Sequence, residues 1–182
     1  MLKTIIKQHF ESISLSNIAD NTLFNIVWFY AIWLSCVMGQ NEYLALPTAL
    51  LIIHYLLIKD TLLEVKLVGL IVLIGVSVDQ LLALSGILIF EDTQVLPMWL
   101  IVLWFGFAST IPRSLKFLNK HWLLSSMLGG LGGTTSYLSG YALGAVTFGY
   151  PTLITSIILF IHWSILMVLF CTIASWLSKR NS

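Results

Sequence analysis

The chain has 182 residues, 58% of them hydrophobic and only 9% charged, with a mean hydropathy of +0.95. That balance leaves too little polar surface for a water-soluble domain of this size and predicts an all-α, polytopic transmembrane helix bundle. A net charge of +1 gives no reason to expect nucleic acid as a partner. The expected partners are membrane lipids, with a small solute or a lipid as ligand.

In chain order, residues 1–20 read as a retained interfacial amphipathic helix. Leu2, Ile5, Ile6, Phe10 and Ile13 recur at helical spacing among Lys3, Lys7, Gln8 and Glu11, and no short apolar core with a small-residue cleavage site follows. Residues 21–178 read as one transmembrane helical domain. A helix needs roughly 20 residues to cross about 30 Å of hydrocarbon, and apolar runs near that length fall at 22–39, 43–58, 66–90, 97–113, 122–147 and 152–177. Six spans are predicted. The second is short and carries Pro47 near its start, whereas Pro151 suits the first turn of the last helix.

Charge supports that count. Lys3 and Lys7, Lys59 and Lys66, Arg113, Lys116 and Lys120, and Lys179 and Arg180 all fall on one side of a six-span chain, while Glu42, Glu91 and Asp92 fall on the other. By the positive-inside rule both termini are then cytoplasmic.

Within the third run stands Asp79, about 20 Å along its helix from Lys66 at ~1.5 Å per residue, and so near the bilayer midplane. An acid at that depth costs a few kcal/mol and reads as functional by default. Gly75, Ala83 and Gly86 give it a small-residue face that should point into the bundle. Tyr137 in the fifth run and His162 in the sixth reach the same depth, so Asp79, Tyr137 and His162 form a candidate midplane polar site. Its role is either a proton relay or substrate contact, or a hydrogen-bonded link between helices, worth about 1 kcal/mol per bond in membranes.

Residues 129–145, GGLGGTTSYLSGYALGA, carry Gly132, Ser136, Gly140 and Gly144 at intervals of four. This predicts a helix-packing stripe, the alternative being an unwound segment whose backbone coordinates a substrate or ion. A phosphate-binding loop is excluded, since no G-K-[ST] follows the glycines. Toward the cytoplasmic side Asn25, His54 and Arg113, with Ser109 and Thr110, make a second polar set. The histidines His9, His54, His121 and His162 show no metal-ligand spacing, so neither a metal nor another cofactor is expected. Cys36 and Cys171 lie in apolar runs and read as buried hydrophobes. No nucleophile triad or other catalytic motif is present. Trp28 and Trp33 in the first run are spaced like Trp99 and Trp104 in the fourth, a pattern that an inverted repeat would produce.

Several segments together resemble a known family: N-x-x-W-F at Asn25, Trp28 and Phe29, running on to Trp33, Val37 and Gly39; Asp79; P-x-W-x-x-x-x-W-x-x-F-A from Pro97 through Trp104 to Ala108; G-G-x-x-x-Y-x-x-G-x-x-L-G-A at Gly132, Gly133, Tyr137, Gly140, Leu143, Gly144 and Ala145; and Trp163. The chain is similar, from about residue 23 to about 175, to the bacterial inner-membrane proteins catalogued as domain of unknown function 2878. It departs from them at Thr134 and Thr135, where such motifs commonly carry a proline after the paired glycines. The resemblance implies a multi-pass protein of the bacterial inner membrane and assigns no mechanism. The expected function is a small transporter or permease-like bundle using the midplane site; the alternative is an accessory subunit or enzyme acting on lipids.

Overall fold

The computed structural model describes residues 21–58, 61–90 and 95–180. The interfacial helix expected over 1–20, the Glu91 and Asp92 turn, and Ser182 lie outside the described residues.

Among the described residues six α-helices form: α1 (Thr22–Gly39), α2 (Ala45–Leu57), α3 (Thr61–Leu84), α4 (Met98–Ala108), α5 (Trp122–Ala142) and α6 (Thr152–Arg180). The start of α1 is fixed by Asn21, whose extended backbone and side-chain oxygen, accepting the Phe24 N–H at 3.0 Å, make it an N-cap. Two expected helices stop early for one shared reason. Gly86 (φ 71) and Gly144 (φ 75) adopt left-handed backbone, and each ends its helix in a paired-bond motif. Ile87 N–H reaches Leu82 O and Gly86 N–H reaches Ala83 O; Ala145 N–H reaches Gly140 O and Gly144 N–H reaches Tyr141 O. The helices expected over 66–90 and 122–147 therefore end at Leu84 and Ala142. Beyond each turn the chain extends into a two-residue strand, β1 (Leu88–Ile89) and β2 (Thr147–Phe148), which pair antiparallel with Leu88 opposite Phe148.

The fourth run also ends early, at Ala108. Pro112 has no N–H and disfavours helical backbone at Ile111, so the chain leaves α4 in turns and re-forms as a 3-10 segment at Lys116–Lys120.

Hydrogen bonds between helix ends set their directions. Ser114, after α4, donates to Asn25 Oδ1 at the start of α1 (2.6 Å), and Trp99 N–H at the start of α4 donates to Asn41 Oδ1 after α1 (3.1 Å). Gln80 near the end of α3 accepts from Leu96 N–H ahead of α4 (3.1 Å), while Arg113 after α4 holds Glu64 in the first turn of α3. Ser175 late in α6 donates to Asn119 O ahead of α5 (3.1 Å). Gln40 after α1 approaches Gly144 O after α5 at 3.5 Å. The six helices thus alternate in direction. The six described Lys and Arg residues, Lys66, Arg113, Lys116, Lys120, Lys179 and Arg180, all fall at one end, the basic end.

Among the described residues three helices are long and apolar enough to cross a membrane: Thr22–Gly39, Leu62–Leu84 and Thr152–Arg180. Helices α2 and α4, with 13 and 11 residues, are apolar but shorter.

The tightest helix pair is α5 on α6, and glycine allows it at Gly129, Gly130 and Gly133. A Cβ at Gly129 would collide with Met167, at Gly130 with Ser164 and Phe160, and at Gly133 with the Trp163 ring. The glycines of the expected stripe Gly132, Ser136, Gly140 and Gly144 are not the ones that meet α6. A Cβ on Gly132 or Gly144 would meet nothing, one on Gly140 would make only ordinary contact with Val146, and Gly144 serves as a helix cap. The neighbouring face of α5 does the packing. Nor is α5 unwound; it continues through Thr134 and Thr135, whose Oγ1 donates back to Leu131 O at 2.8 Å.

Candidate functional site

Asp79 is fully buried, and two side chains converge on one of its oxygens. Tyr137 donates its hydroxyl to Oδ2 at 2.5 Å and Trp104 donates Nε1–H to the same atom at 2.7 Å. The carboxyl group thereby ties α3 to α4 and α5. Gly75, one turn earlier in α3, makes room for this arrangement, because a Cβ there would overlap the Trp104 indole. His162 shares in none of these bonds: among the described residues its Nε2 is buried without a partner, as is Asp79 Oδ1. The expected trio is therefore an Asp79–Tyr137–Trp104 cluster. Trp104 escapes a sequence reading because an indole in an apolar helix looks like any other core or interfacial aromatic.

Trp104 and Tyr137 have a second side. Both line a cavity of about 240 Å³ from which Asp79 itself is absent. Its walls come from α1 (Phe29, Trp33, Val37), α4 (Trp99 to Phe107), α5 (Gly129 to Gly140) and α6 (Trp163, Met167), and no lining residue is charged. The aromatic wall is ordered by stacking: Trp104 and Trp163 lie parallel, 3° apart with centroids at 5.3 Å, and Phe107 meets both edge-on. Gly132 and Gly140 also line the cavity, and a Cβ on Gly132 would meet nothing. On the open side Leu128 and Gly132 are exposed and Trp33 is half-buried. There Trp33 Nε1–H donates to Ser136 Oγ at 2.8 Å. From Gly129 to Gly140 the cavity follows α5 for roughly 16 Å at ~1.5 Å per residue, about one leaflet of a ~30 Å hydrocarbon core.

The second polar set also gathers, around a residue that the sequence reading passes over. Glu64, buried at the start of α3, receives both terminal nitrogens of Arg113, with Nη2 to Oε2 at 2.7 Å. His54 Nε2 lies 3.8 Å from Glu64 Oε1, and its ring stacks on Trp28 at 4.2 Å. Asn25 accepts from Ser114, the residue after Arg113. Tyr55 and Ser109 share a hydroxyl bond of 2.9 Å, while Thr110 turns back on Phe107 O. Glu64 gives little sign of this in the sequence, where an acid at a helix start is the ordinary complement of the helix dipole.

The sequence model of the family described as Protein of unknown function (DUF2878) matches residues 22–169. The chain belongs to that family. The DUF2878 match begins at the start of α1 and runs into α6, so it takes in the cavity, Asp79 with both its donors, and the Glu64–Arg113 pair. No curated protein and no solved structure matches the chain.

Proposed function

We propose that this protein is a six-span protein of the bacterial inner membrane, with both termini cytoplasmic, that holds the hydrocarbon chain of a membrane lipid in the cavity between α1, α4, α5 and α6. The observation that carries this reading is a leaflet-long cavity, lined without a single charged residue, in a chain whose surroundings are lipid. An apolar space of this kind holds water poorly and takes apolar ligands. The alternation of the helices and the gathering of every described Lys and Arg at one end support six crossings in that orientation. At ~1.5 Å per residue α2 and α4 cover only about 20 and 16 Å, so the turns flanking them complete their crossings.

Asp79 acts here as a positioning residue. From behind the wall it fixes the Tyr137 ring and the Trp104 indole that form the cavity's surface. A permease for a polar solute draws less support, because Asp79 is fully buried and does not line the cavity. An accessory or enzymatic partner in lipid metabolism fits an apolar cavity better.

Lipid retained by the purified protein tests this reading. A side chain at Gly132 meets nothing, so Gly132→Phe should fold, fill the cavity and carry markedly less lipid by native mass spectrometry. Equal retention by the variant and the wild type would refute chain binding at this site. Orientation is tested separately, by labelling Glu42→Cys from outside the cell and Lys116→Cys only after permeabilisation.

A further inference from the structure

One loop builds the basic end of the cavity, and its two faces are unlike. In residues 109–121, Leu115 and Leu118 line the cavity, with Leu118 almost wholly buried, while Lys116, Lys120 and His121 are exposed. The Ser175 bond to Asn119 O sets this loop beside the last turns of α6, where Lys179 and Arg180 are exposed. Arg180 lies over the Trp176 ring at 5.4 Å. Arg113 adds nothing to the outward charge, because Glu64 takes it bidentately inside the bundle. Among the described residues, none of Lys116, Lys120, Lys179 and Arg180 makes a salt bridge. The described acids are Glu42 at the far end and Glu64 and Asp79, both buried. Among the described residues, then, no acid offsets the positive charge that stands at the mouth where an occupying chain would end.

We infer that the bound lipid is anionic, its headgroup phosphate lying against Lys116 and Lys120 while its chain enters the cavity past Leu115 and Leu118. This rests on the lipid-chain reading of the cavity. A phosphate with no compensating ammonium gains from every cation at this mouth, and Lys179 and Arg180 at the end of α6 add to the field, which salt screens over about 8 Å. A zwitterionic headgroup presents its own cation to the same field and gains less.

The full-length protein, exchanged into vesicles of equimolar phosphatidylglycerol and phosphatidylcholine and re-extracted in detergent, reports the ratio of the two lipids that it keeps. The wild type should enrich phosphatidylglycerol, and Lys116→Gln and Lys120→Gln should each lower that ratio about fivefold. Lys66→Gln, at the same end but on α3 and away from the cavity lining, should leave it unchanged. Equal retention of both lipids by the wild type, or the same loss in Lys66→Gln, would overturn the headgroup assignment while leaving chain binding intact. Retention of neither lipid by the wild type would overturn both.

Discussion

Trp33 donates its indole N–H to Ser136 Oγ at 2.8 Å, and this contact ties α1 to α5 across the open side of the cavity. Membrane hydrogen bonds of this type contribute about 0.6 kcal/mol on average and at most about 2, enough to hold two helices together and weak enough to open. Ser136→Ala should therefore exchange a fluorescent lipid with vesicles faster than the wild type, while its melting temperature falls only slightly. An unchanged exchange rate would show that chains enter elsewhere.

Adjacent glycines in α5 should respond to alanine with opposite signs. At Gly133 the added methyl would enter the Trp163 ring, and overpacking of that kind costs about 1–3 kcal/mol. At Gly132 the methyl meets open space, so the gain in helix propensity, up to about 1 kcal/mol, should stand alone. Unfolding of the two variants in detergent decides the matter. A loss at Gly132 matching that at Gly133 would contradict the assignment of the two faces.

The same glycines mark the limit of what the sequence discloses. Gly132, Ser136, Gly140 and Gly144 are the regular pattern, yet the packing surface is Gly129, Gly130 and Gly133, since which face of an apolar helix meets a neighbour depends on the neighbour. The helical runs were legible because hydropathy and charge segregation act over whole segments. Their ends at Leu84 and Ala142 were not, because the apolar run continues through the turns at Gly86 and Gly144 into the strands. Depth arithmetic brings Tyr137 to Asp79, since both sit in regular helices, but depth alone does not choose between Tyr137, which makes the bond, and His162, which does not. The cavity is not legible in any one segment of the sequence, because it is a volume between four helices.

The Glu64–Arg113 pair joins the start of α3 to the loop after α4, and both side chains are about 7% exposed. Removing one member of such a pair strands the other, at a cost of about 3–5 kcal/mol. Glu64→Gln and Arg113→Met should each destabilise the protein strongly, and the double variant should recover much of the loss. Additive losses in that double-mutant cycle would mean that the two residues act independently.

Asp79 gives the sharpest division between positioning and proton transfer. Asparagine keeps a carbonyl oxygen that can accept from both Tyr137 and Trp104, and its amide would take the place of Oδ1, which has no partner to lose. Asp79→Asn should therefore fold and retain lipid like the wild type. Leucine removes the shared acceptor and leaves a buried hydroxyl and a buried indole N–H unpaired, at about 1–3 kcal/mol each. Asp79→Leu should lose both stability and bound lipid, because the two rings that it releases are part of the cavity wall. Tyr137→Phe should fall between them, since the indole keeps its acceptor while the phenyl ring keeps most of the wall. Thermal unfolding and lipid retention measured together separate the cases. If Asp79→Asn folds and keeps its lipid but fails in a cellular assay that needs the protein, then the proton matters and positioning is not the whole of this residue's work.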